Sequence, residues 1–262
     1  MAKKALLVGI NYNGTPNQLK GCITDVTKMD IFFKGKGFET ILLTDNTIVK
    51  PTRKNIEQAV LKLVSNVQSS DVLVFHYSGH GSNAVDANNE ESDKKDEVLV
   101  PLDYATAGII TDDWLNTNLC DKIPIGASLY AFTDCCHSGT LFDLKYNVIS
   151  NCVRKSSKGQ DYIPSDWTEN FSFQLEGIEK DTNGIIVLMS GCRDAETSAD
   201  AFINNESQGA FTNCLLESFK TPGTILQKTK EINARLKIKG FKQNSQLSIG
   251  RLADLEKSLS FC

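Results

Sequence analysis

The chain has 262 residues, 40% of them hydrophobic and 23% charged, with a formal net charge of -4. This composition excludes wholesale disorder, and the acidic balance excludes a nucleic-acid binder that works through bulk positive charge. The length suffices for a core without staples, and no run reaches the ~20 apolar residues of a membrane span or the pattern of a secretory signal.

Ala5–Ile10 is a short apolar run, as expected of a strand buried on both faces. Thr24–Gly35 places Val26, Met29, Phe32 and Phe33 at helical spacing, and Gly35-Lys36-Gly37 reads as the helix stop. Glu39–Thr44 is a second strand. Pro51-Thr52 opens a helix with Thr52 as N-cap and Ile56, Ala59, Val60, Leu63, Val64 and Val67 as its apolar stripe. Asp71–Ser78 is a third strand, followed by Gly79-His80-Gly81. An acidic loop, Asn83–Glu97, leads to a short strand Val98–Leu102 and a helix Asp112–Leu119. Ser128–Cys135 is a fourth core strand and runs into Cys136-His137-Ser138-Gly139. Residues 147–183 lose periodicity and read as a linker. Gly184–Gly191 is a buried strand, Gly209–Phe219 and Thr224–Lys239 are helical, and Gln246–Gly250 is a last strand. Strands alternating with helices predict a three-layer α/β/α fold around a mostly parallel central sheet.

The eight Cys form no CxxC pair, and with no secretory signal they read as reduced thiols in a cytoplasmic protein. Of three His, His80 and His137 follow the ends of predicted strands, whereas His76 carries a strand's alternation and reads as packed against a helix. In open α/β sheets ligands bind beyond the C-terminal strand ends. An imidazole and a thiol delivered there form the pair that acyl transfer requires, because the thiolate attacks and the imidazole moves the proton. Gly81 allows close backbone approach, and an N–H near it, together with that of the nucleophile, suits an oxyanion hole. Alternation places Cys136 with Tyr130, Phe132 and Asp134, and Cys135 with Leu129, Ala131 and Thr133. It does not decide which thiol faces the rim.

The segments Phe75-His76-Tyr77-Ser78-Gly79-His80-Gly81-Ser82 and Thr133-Asp134-Cys135-Cys136-His137-Ser138-Gly139 resemble the catalytic histidine and cysteine motifs of metacaspases. Leu19–Val26, Asp96–Asp103 with Ile110–Asp113, and Ser190–Asp194 through Gly209-Ala210-Phe211 resemble further segments of that family, in the same order along nearly the whole chain. The resemblance implies a caspase-like fold, expected here in a compact form that departs from the family's larger members in having no prodomain. It implies a single domain over 1–262, with a large-subunit-like region 1–146, a linker 147–183 and a small-subunit-like region 184–262.

The same resemblance makes Cys136 the nucleophile and His80 the general acid/base, with Gly81 and Cys136 at the oxyanion hole. It places Asp25, Ser78 and Asp134 in a pocket for a P1 Arg or Lys, where a guanidinium finds charge-assisted bonds. An acidic pocket would repel the P1 Asp of caspase substrates. The implied calcium ligands are Asp96, Asp112, Asp113 and Asp143, a hard, all-oxygen set suited to Ca²⁺. Arg154, Lys155, Lys158 and Lys180 are candidate self-cleavage sites of a zymogen. Cys135 reads as a small buried hydrophobe, Cys22 as structural, and His137 as a shaping residue of its motif. The expected protein is a monomeric, calcium-dependent cysteine endopeptidase acting on protein or peptide substrates with a basic P1 residue, with neither nucleic acid nor membrane as partner. The alternative is a catalytically silent caspase-like module that senses calcium or docks proteins. A nucleotide-binding domain ranks below both, since neither GxGxxG nor GxxxxGK[ST] is present.

Overall fold

The computed structural model describes residues 1–85, 95–136, 141–154, 167–175, 181–191, 200–203 and 206–261. The elements in chain order are β1 (Lys3–Gly9), α1 (Cys22–Gly35), β2 (Glu39–Thr44), α2 (Arg53–Leu63), β3 (Val72–Ser78), β4 (Gly81–Val85) and β5 (Lys95–Leu99). Next come α3 (Tyr104–Ala107), β6 (Ile110–Thr111), α4 (Asp112–Asn118), β7 (Ser128–Asp134), β8 (Tyr146–Arg154), β9 (Trp167–Leu175) and β10 (Ile185–Ser190). The chain closes with β11 (Asp200–Ile203), β12 (Glu206–Gly209), α5 (Ala210–Ser218), α6 (Ile225–Ile238) and β13 (Gln246–Ile249).

The central sheet has eight strands in the order β2-β1-β3-β7-β10-β13-β8-β9. The first five pair in parallel and the last three add antiparallel. Alternation along each parallel strand sends side chains to two separate cores. On one face Leu6, Val8, Leu73, Phe75, Leu129 and Ala131 pack with Ile56, Val60 and Leu63 of α2 and Leu115 of α4. On the other, Leu7, Val74, Tyr130, Phe132 and Met189 meet Val26, Met29 and Phe33 of α1, Phe211 and Leu215 of α5, and Ile232 of α6. The result is the expected three-layer α/β/α arrangement. The caps are chemical as well: Thr52 Oγ1 accepts from Asn55 N at 3.3 Å, and Thr224 and Gln227 bond reciprocally as a capping box at the start of α6.

Three expectations change. Residues 147–183 are not free of regular structure, because they contribute most of β8 and all of β9, nine residues each, which extend the sheet antiparallel. The acidic loop Asn83–Glu97 has paired ends, since β4 and β5 form an antiparallel hairpin, and the strand expected at Val98–Leu102 runs instead from Lys95 to Leu99. The short antiparallel pair β11–β12 precedes α5, where no element was expected.

His76 lies on the β3 face shared with Val72 and Val74, fully buried, with Nδ1 3.0 Å from the Phe132 carbonyl. A carbonyl only accepts, so Nδ1 carries the proton, and Nε2 has no partner among the described residues. Burial pushes this imidazole down from 6.5 to about 4, against the opposing bond to Phe132. The unfolded chain therefore takes up the proton first. The stabilising contribution is complete above pH 6.5 and falls away toward pH 4, by about 3 kcal/mol in all. His76→Leu should flatten this acid limb in urea melts between pH 7 and pH 4.5. An unchanged slope would count against the assignment.

Candidate active site

β1, β3 and β7 end in register, with Gly9, Ser78 and Asp134 side by side. Beyond that edge opens a cleft lined by Leu19, Cys22, Asp25, Ser78, Gly79, His80, Asp134, Cys135, Cys136 and Gly209. The thiol and imidazole singled out in the sequence thus reach one cleft from adjacent strands.

Burial separates the two thiols that alternation left open. Cys135 is 2% exposed and packs into the core on the α2 side, whereas Cys136 is partly exposed. Burial pushes the Cys120 thiol up, with the Asp143 carboxylate adding to the shift, and pushes Cys214 up to about 12. A buried thiol held protonated is a poor nucleophile. Among the described residues, Cys22, Cys120, Cys135, Cys136 and Cys214 form no disulfide.

The His80 ring has Nε2 2.7 Å from the main-chain carbonyl of Asn17. That contact requires the proton on Nε2 in the neutral ring and leaves Nδ1 as the basic nitrogen. Asn17 was not foreseen, and a main-chain acceptor leaves no signature in side-chain identities. A Cβ at Gly81 would collide with the Cys136 carbonyl oxygen and lie 3.2 Å from Cys135 Sγ. The backbone at Gly81 therefore lies directly against the Cys135-Cys136 turn.

A carboxylate pocket adjoins the thiol. Asp25, in the first turn of α1, accepts from Ser78 Oγ at 2.7 Å and from Gly209 N at 2.9 Å. Asp134 Oδ2 accepts from Thr212 N at 2.9 Å and from Thr212 Oγ1 at 2.8 Å. Both carboxylates are buried, at 1% and 6% exposure. A Cβ at Gly209 would strike the Asp134 carboxylate and sit 2.8 Å from that of Asp25, so both acids converge on one point. Asp25, Ser78 and Asp134 are thus brought together as expected. Gly209 and Thr212, from the start of α5, complete the pocket and were not singled out as binding residues.

Asp112, Asp113 and Asp143 form a second acidic group, with ligand oxygens within 4.8 Å of one another. Asp112 accepts from the backbone N–H of Glu97 and from that of Asp113 at 2.8 Å. Asp143 is held at a left-handed φ of 47°. The donors are all carboxylate oxygens, which fit a hard cation. The backbone of Asp96 lies on β5, paired with Ala84, and its side chain falls outside the described residues. Arg154 ends β8 with its side chain likewise outside them, and Lys155, Lys158, Lys180 and His137 fall wholly outside. Among the described residues no helix is long and apolar enough to cross a membrane.

Solved structures share this architecture. Protein GSU0716 from Geobacter sulfurreducens superposes with a TM-score of 0.67 at 24% identity, covering 97% of each chain. Caspase-1 from Spodoptera frugiperda gives 0.56 at 12% identity, over 95% of this chain and 84% of that one. The fold is thus that of the caspase-like α/β proteins. A family model described as metacaspase, peptidase C14 domain, matches residues 3–145. Metacaspase-1B of Aspergillus niger is 34% identical over 94% of this chain and 64% of its own length. Metacaspase-1B of Aspergillus fumigatus is also 34% identical, over 97% and 71%. Metacaspase-1 of Mycosarcoma maydis is 36% identical over 79% and 60%. The chain belongs to the metacaspase family and spans about two thirds of the length of these relatives.

Proposed function

We propose that this protein is a calcium-activated cysteine endopeptidase that cuts after Arg or Lys. The observation that carries the reading is the convergence of one accessible thiol, one imidazole and two buried carboxylates on a single cleft. In this mechanism a basic P1 side chain enters between Asp25 and Asp134, and its charge relieves the repulsion of two neighbouring buried anions. Cys136 Sγ attacks the scissile carbonyl after its proton passes to His80 Nδ1. The oxyanion is met by backbone N–H groups at Gly81 and Cys136. The imidazolium gives its proton to the leaving amine, and His80 then activates the water that hydrolyses the thioester. His80 is oriented throughout by the Asn17 carbonyl.

Asp112, Asp113 and Asp143, with Asp96 as the expected fourth ligand, would hold calcium, whose fixed positive charge lets these carboxylates crowd together. The test uses wild-type protein and fluorogenic peptides ending in Arg, Lys or Asp, with calcium or with a chelator. Cleavage of the Arg and Lys peptides only in calcium is expected. Cleavage confined to the Asp peptide, or none at all, overturns the reading, and calcium binding without cleavage would favour the silent module.

Self-processing belongs to the same proposal. Lys155 and Lys158 lie between β8 and β9, Arg154 ends β8, and Lys180 lies between β9 and β10. Calcium-treated wild type should yield fragments ending at one or more of these residues, read by mass spectrometry, and Cys136→Ala should yield none. Identical fragment maps would remove self-processing from the account.

A further inference from the structure

His80 lies between two glycines, so neither residue beside it in sequence has a side chain to hold it. Its main chain is anchored instead. The His80 N–H donates to the Tyr12 hydroxyl at 3.0 Å, and its carbonyl accepts from the Tyr77 hydroxyl at 2.9 Å and from Val100 N at 3.2 Å. The two phenol oxygens are 3.2 Å apart, and both rings are fully buried. The Tyr12 ring also lies 4.7 Å from the imidazole, centroid to centroid. A Cβ at Gly79 would stand 2.8 Å from the Tyr77 hydroxyl and 3.2 Å from that of Tyr12, so the glycine makes room for the pair.

Tyr12 takes up this position at a φ of 52°, a left-handed conformation that a bulky aromatic residue seldom adopts. Such outliers persist where surrounding contacts over-determine them, and they concentrate at functional sites. Burial keeps both phenols protonated, so each retains a proton to donate. Tyr12 gives its own to the Val100 carbonyl at 2.6 Å, which Tyr77 also approaches at 3.0 Å. Val100 directly follows β5, whose Glu97 N–H is held by Asp112 of the acidic group. The phenol pair thus ties the His80 backbone to the strand anchored by that group.

We propose that Tyr12 and Tyr77 are positioning residues that set the His80 imidazole against Cys136 and link its placement to β5. This rests on the assignment of His80 and Cys136 as the acid/base and the nucleophile. Tyr12→Phe, Tyr77→Phe and the double variant are compared with wild type on an Arg-ending peptide in saturating calcium. In parallel, without substrate, the rate of iodoacetamide alkylation is followed and located on Cys136 by peptide mass spectrometry. Each single variant should lose about 10-fold in kcat with KM within about twofold, because misplacement of a reacting group falls on the transition state. Alkylation should slow in parallel. The double variant should lose little more than the worse single one, since the hydroxyls share partners. Wild-type kcat and alkylation in the variants would overturn the proposal. So would a loss confined to KM, or one that merely follows the folded fraction in thermal melts. If wild type cleaves no Arg peptide the peptidase reading fails, and the alkylation rates still decide the positioning role.

Discussion

Cys136→Ala should lower kcat/KM for an Arg-ending peptide by at least about 10³-fold, whereas Cys135→Ala should stay within about threefold of wild type. The two residues are neighbours with opposite environments. Cys135 is 2% exposed among core side chains, so its truncation is felt as stability, about 1 kcal/mol, read as a lower Tm. Cys136 is partly exposed, and its loss should leave the Tm near that of wild type while removing the only nucleophile the mechanism supplies. Parallel kinetics and melts on both variants separate the roles. A silent Cys135→Ala beside a fully active Cys136→Ala would sink the nucleophile assignment.

That contrast marks where sequence reasoning stops. Period-two alternation placed Tyr130 and Phe132 on one face and Leu129 and Ala131 on the other, and the two cores have this division. At the strand's end Cys135 still packs with Leu129 and Ala131 as alternation places it, but alternation names a face and not the rim, so only packing and exposure tell the two cysteines apart. Long apolar strands and capped helices were legible for the same reason: Thr52 precedes a clear stripe, and β1, β3 and β7 are buried on both faces. β9 was missed although Trp167, Phe171, Phe173 and Leu175 alternate with other residues. The pattern is that of a strand near the sheet's edge, and the charged and polar residues around it masked it. The antiparallel turn of the sheet at β13 follows no local signal, since pairing partners there lie far apart in sequence. In the cleft, Asp25, Ser78 and Asp134 were reached through family motifs, while Asn17 acts through its main chain and Tyr12 through a loop conformation. Neither kind of contribution is written in residue identity alone.

Asp25→Asn should cut kcat/KM for Arg-ending peptides by about 10²-fold, the scale of one charge-assisted bond lost from a desolvated site. The substitution is nearly isosteric, and the surrounding groups can accept it. Gly209 N can still donate to the remaining oxygen, and the Ser78 hydroxyl, which donates to the carboxylate at 2.7 Å, can rotate to accept from the new amide. Folding should therefore survive, with a Tm close to wild type. What disappears is half of the negative charge that Asp25 and Asp134 bring to one point beside Gly209. The loss should be specific: the rate of Cys136 alkylation by iodoacetamide, which has no P1 side chain, should stay within about threefold of wild type, because the thiol and imidazole are untouched. A Lys-ending peptide should suffer less than an Arg-ending one, since a compact ammonium cannot span both carboxylates as a planar guanidinium does. If Asp25→Asn lowers Arg-peptide cleavage and thiol reactivity equally, Asp25 supports the thiol side of the cleft and the basic specificity must come from Asp134 alone.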